Sequence, residues 1–113
     1  MKIEVKQPPR EYKVGLQKQI TIKDCGSVHL DADEQLTFLT GDGHEYDFAA
    51  KDWGYYATPS VDGRLKSFGY KTAFVRNTMG KHYVMVVRED RMDSFQAYLD
   101  AESQQVVSWL DEQ

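Results

Sequence analysis

The sequence predicts a small α+β domain, mainly antiparallel β, built as a bent sheet, a barrel or a sandwich with one C-terminal helix packed on it. Apolar and polar residues alternate in short runs over most of the chain, as in half-buried strands. Turn-forming stretches, Gly41-Asp42-Gly43 and Asn77-Thr78-Met79-Gly80, separate two pairs of such runs. From Asp90 onward the apolar spacing becomes helical. With 113 residues, 41% of them hydrophobic, the chain can bury one core, so a single domain over 1–113 is expected.

Residues 1–10 read as a flexible leader or an edge strand, because Pro8 and Pro9 remove two backbone donors. A β-rich body follows over 11–89. In it Tyr12, Val14 and Leu16, then Ile20 and Ile22, alternate as strands, and Gly26 is placed to turn or bulge the chain. Val28 and Leu30 share one face and leave His29 and Asp31 on the other. Asp31-Ala32-Asp33-Glu34 reads as a turn. Leu36, Phe38 and Thr40 lead through the Asp-Gly turn to His44, Tyr46 and Phe48, a hairpin signature.

Thr58-Pro59-Ser60 and Val61-Asp62-Gly63-Arg64 form two successive turns, after which Arg64, Lys66 and Phe68 are expected on one strand face with Lys71 on the other. A second hairpin pairs Tyr70–Arg76 with Lys81–Glu89. Tyr83–Val87 is apolar on both faces and is expected to be a central strand. Asp90 is placed to cap a helix over 90–111. Its apolar stripe is Met92, Phe95, Leu99, Val106, Trp109 and Leu110, interrupted by Glu102.

Composition removes several function classes. A single cysteine, Cys25, excludes an intrachain disulfide framework and any CxxC site. The N-terminal residues contain no continuous apolar run, so neither a signal peptide nor a membrane span is expected and the cytoplasm is the predicted location. The net charge of −4 is segregated: +3 over 1–30, −6 over 31–50, +4 over 51–91 and −5 over 92–113. An acidic chain with no RNP1-like run is not expected to bind nucleic acid, although the basic segment interleaves aromatic residues. No P-loop, dinucleotide fingerprint or nucleophile elbow is present, and the residues name no cofactor.

The stretch Trp53–Tyr70 concentrates aromatics, glycines and turns, and it carries the leading functional expectation. Trp53, Tyr55 and Tyr56 offer flat faces; Arg64, Lys66, Lys71 and Arg76 supply positive charge. Together they suit an anionic small molecule of sugar-phosphate or nucleotide type, or an acidic protein partner. The alternative is a small β-barrel enzyme with a His/carboxylate cavity. Its weak metal candidates are His29, His44 and Asp47, and its acid/base candidates are His82, Asp52 and Glu45. A third reading is a homo-oligomer subunit, a homodimer in the simplest form.

Overall fold

A computed structural model describes residues 1–113, which form eight strands and two helices. The strands are β1 (Lys2–Val14), β2 (Ile20–His29), β3 (Gln35–Leu39), β4 (Glu45–Lys51), β5 (Gly54–Ala57), β6 (Tyr70–Arg76), β7 (His82–Arg88) and β8 (Gln105–Trp109). Helix α1 is a single turn, Arg64–Ser67, and α2 runs from Met92 to Glu102. Three open sheets result, ordered β1-β2, β3-β4-β5 and β7-β6-β8, and none closes into a barrel. The α+β class holds.

Contacts cluster into two compact units. The first contains Met1–Lys13 and Thr21–Pro59; the second contains Val14–Ile20, the far end of the β1-β2 hairpin, and Ser60–Gln113.

In the first unit, residues 1–10, read as a flexible leader or an edge strand, belong from Lys2 onward to strand β1, which pairs with β2 alone. Gly26 lies within β2 with φ +150°, and a Cβ there would lie 2.1 Å from the Glu4 carbonyl oxygen. The β3-β4 hairpin forms with the expected turn, closed by Thr40 N–H donating to the His44 carbonyl at 3.0 Å. The acidic stretch 31–34 is a turn, with Asp33 in the left-handed region at φ +68°. Ala50 and Pro59 are the buried apolar side chains of this unit.

The second unit has a conventional core. Ala73 and Val75 on β6 and Leu99 on α2 are buried, with Met85, Phe95, Val106 and Trp109 packed around them. Phe95 and Trp109 meet edge to face, ring centroids 6.2 Å apart.

Four expectations are corrected here. First, β6 is the central strand and β7 an edge, so Val84 is 62% exposed rather than covered on both faces. Uniform hydrophobicity in β7 reflects one face against α2 and another left open. Second, 64–67 is helical rather than extended, because Ser60 gathers the N–H groups of this turn: its hydroxyl accepts from Arg64 at 3.1 Å and its carbonyl from Leu65 at 3.0 Å. Leu65 is thereby fully buried.

Third, Asp90 does not cap the helix. It receives Arg88, and a 3-10 turn over Glu89–Arg91 precedes α2. Fourth, the helix does not reach residue 111. Ser103 adopts the left-handed conformation at φ +52°, and Gln104 N–H closes the helix end on the Leu99 carbonyl at 2.9 Å. The β-branched pair Val106-Val107 then continues as strand β8, with an irregular register at Phe74/Val75. The seven-residue step from Leu99 to Val106 has the spacing of two helical turns, but a strand brings Val106 back to the same core.

Candidate functional site

The β3-β4-β5 sheet presents two chemically different faces. Cross-strand partners share a face, so the registers Leu36↔Phe48↔Ala57, Phe38↔Tyr46 and Ala50↔Tyr55 gather an aromatic face. On it Phe48 packs edge to face with Phe38 at 6.1 Å and against Tyr46 at 5.1 Å between ring centroids. Burial pushes the Tyr46 hydroxyl pKa up, and the neighbouring Asp47 charge adds to the shift. Phe38 is 53% exposed and Tyr55 79%. The other face carries Thr37, Glu45, Asp47, Lys51 and Tyr56.

β5 is an edge with a defined hydrogen-bonding phase. Thr58 N–H donates to the Asp47 carbonyl at 3.3 Å, which makes 47/58 a hydrogen-bonded pair. Antiparallel pairs alternate, so 49/56 and 51/54 also exchange bonds whereas 48/57 and 50/55 do not. Tyr55 and Ala57 therefore direct their N–H and C=O groups away from β4, where the sheet has no further strand. Neither charge nor proline guards this edge: Gly54-Tyr55-Tyr56-Ala57 contains none.

Beside this edge lies a concavity of about 340 Å3, with apolar walls from Val28, Leu30, Ala32, Ala50 and Tyr55 and polar groups from Lys51 and Asp52. Lys51 is paired with Asp33. Sequence reasoning selected Tyr55 but passed over Val28, Leu30, Ala50 and Phe38; the shared parity of Leu36, Phe38, Tyr46 and Phe48 across the hairpin was the available signal.

The expected ligand-binding residues are divided between the two units. Trp53, Tyr55 and Tyr56 belong to the first unit, and Arg64, Lys66, Lys71 and Arg76 to the second. Tyr55 and Tyr56 project to opposite faces of the sheet. The Arg64 guanidinium lies over the Phe68 ring, 5.8 Å from its centroid. Lys66 and Arg76 are exposed.

Lys71 is committed to an internal ion pair. Its Nζ lies 3.1 Å from Asp111 Oδ2 and 3.6 Å from Glu112 Oε1, and 4.9 Å from the centroid of the Trp109 ring. Asp111, 3% exposed, also accepts the Thr72 N–H at 2.9 Å. Burial opposes the Asp111 carboxylate, yet the Thr72 N–H and the Lys71 ammonium outweigh it and hold its pKa below the usual value. The same hydrogen bond raises the Lys71 pKa.

Of the metal candidates, His29 Nε2 lies 3.5 Å from Glu4 and His44 Nδ1 3.1 Å from Asp42, while Asp47 is buried. No three His, Cys, Asp or Glu side chains are grouped closely enough to hold a metal ion. His82 stacks on Phe74 at 5.0 Å. Asp52 lines the β5 concavity, and Glu45 sits at the exposed start of β4. No helix is long and apolar enough to cross a membrane. Compared with known proteins, the chain matches no family model, no curated protein and no solved structure.

Proposed function

We propose that the chain is a polypeptide-binding module that takes an extended segment of a partner protein as an added strand on β5. The observation that carries this is the free edge at Tyr55 and Ala57: two residues with main-chain donors and acceptors facing outward, beside an apolar concavity. Strand addition draws affinity from main-chain hydrogen bonds and specificity from pockets for alternate side chains. The fitting partner segment is extended, with apolar side chains at every second position directed at Ala50, Tyr55 and Leu30. Trp53 and Tyr56, 67% and 51% exposed, supply aromatic area at the rim.

Of the two occupants expected for the 53–76 surface, a protein is favoured over an anionic small molecule. Lys71, one of the cations an anionic ligand would need, is engaged with Asp111.

The test is selection of short random peptides by display against the intact chain, followed by binding to Ala57→Pro. Proline at 57 removes one outward donor and no bond to β4, so the fold is retained. The proposal expects selected peptides to alternate apolar residues and to lose most of their affinity for Ala57→Pro. Equal binding by both proteins contradicts it.

A further inference from the structure

The geometry points to a second binding site, in the unit built on β6, β7, β8 and α2, that takes a small primary ammonium compound with an apolar body. A concavity of about 360 Å3 opens between the hairpin end, β7 and the end of α2. Its walls include Ile20, Met85, Tyr83 and Tyr98; its remaining polar groups are Glu102 and Gln104. A neighbouring hollow of about 330 Å3 shares Ile20, Tyr98 and Glu102 and continues the groove along α2.

The polar groups share one deficiency. Glu102, the last residue of α2, is 8% exposed, and one oxygen accepts the Leu16 N–H at 2.9 Å. No cationic side chain pairs with the carboxylate. Gln104 Oε1 is buried and has no donor. A buried carboxylate without a counter-cation is costly, and so is a buried acceptor left unmade. Both costs fall if one ligand group brings positive charge and N–H donors together. A primary ammonium does both, whereas an alcohol supplies a donor without charge and a quaternary ammonium supplies charge without a donor.

The remaining walls suit the rest of such a molecule. Tyr98 precedes Glu102 by one helical turn and so lies on the same side of α2. With Tyr83 it can set ring faces toward a cation, which the ring quadrupole attracts. Met85 and Ile20 give apolar contact to an alkyl or aryl body. The segment 92–113 carries five acidic residues and no basic one, so its field draws cations rather than anions. Lys18 lines the adjoining hollow together with Glu102 and is placed to compete for the carboxylate.

The test titrates the intact chain with phenethylammonium and, separately, with 2-phenylethanol, an uncharged molecule of similar shape. Calorimetry gives the affinities and amide NMR gives the location. The expected result is saturable binding of the ammonium, with the largest shifts at Leu16 and Gln104, and about tenfold or weaker binding of the alcohol. Glu102→Gln, which retains an acceptor for Leu16 N–H, weakens ammonium binding about tenfold. If circular dichroism finds that variant unfolded, Tyr83→Leu decides the matter by a several-fold loss.

Equal affinity for the two compounds overturns the proposal, as do shifts confined to the exposed Asp93 and Asp100. Binding seen only in Lys18→Met also overturns it, because Lys18 would then be the cation that the site holds.

Discussion

In the unit built on β6, β7, β8 and α2, Ala73, Val75 and Leu99 are at most 3% exposed, whereas Phe38 and Tyr55 on the β3-β4-β5 sheet are 53% and 79% exposed. Both sheets have three antiparallel strands and carry an apolar face. They differ in what covers that face. Helix α2 sets Phe95 and Leu99 against β6 and its neighbours, and the first unit contains no helix to do the same. Strand pairing alone therefore yields a surface rather than a core, and the uncovered sheet carries the open edge to which we assign binding.

Substitutions can break this comparison, and the largest effect is expected at Trp109. Trp109→Ala removes the contact with Phe95 and the ring beneath Lys71, and should destabilise the protein by about 3–5 kcal/mol in urea unfolding. A cost below about 1 kcal/mol would mean that the core closes without β8. Asp111→Asn weakens the acceptor that Thr72 N–H and Lys71 share and should cost about 2 kcal/mol.

The pH dependence of that second effect has a definite sign. Asp111 has a folded pKa below its unfolded value near ~3.9, so its stabilisation is present above that pH and disappears as pH falls through the folded pKa. Lys71 has a raised folded pKa, so its share is complete below ~10.4 and disappears as pH rises through the folded value. The difference in unfolding midpoint between wild type and Asp111→Asn should thus be flat near neutrality and narrow at both extremes. A difference that persists unchanged at pH ~2 would show that the charge contributes nothing.

The smallest effect belongs to the other unit. Tyr55→Ala should change stability by less than about 0.5 kcal/mol, because the ring is solvated. A cost like that of Trp109→Ala would show that the aromatic face is already covered in solution, by a second copy if light scattering finds a dimer.

Much of the fold was legible in local patterns. The Asp-Gly turn and the alternation on each side of it gave the β3-β4 hairpin, and the same logic gave β6-β7. What was not legible depended on tertiary context. The helical spacing of Val106 and Trp109 is equally served by a strand that returns to the same core, and Glu102 marked the point of change because a buried carboxylate at the helix end does not fit a continuous apolar stripe. The central place of β6 could not be inferred from composition, since β7 is the more uniformly apolar strand. For the site, the aromatic run 53–56 stands out in composition, whereas the pairing of Lys71 with Asp111, forty residues away, leaves no local signal.

The central claim is that β5 is an unpaired edge, and amide hydrogen exchange of the isolated monomer at single-residue resolution tests it most directly. The Tyr56 N–H, bonded to β4, should be protected, while Tyr55 and Ala57 should exchange at rates close to those of an unstructured peptide. A selected peptide should then protect both. Protection of Tyr55 and Ala57 in the free monomer would contradict the account, because it would mean that the edge is already occupied.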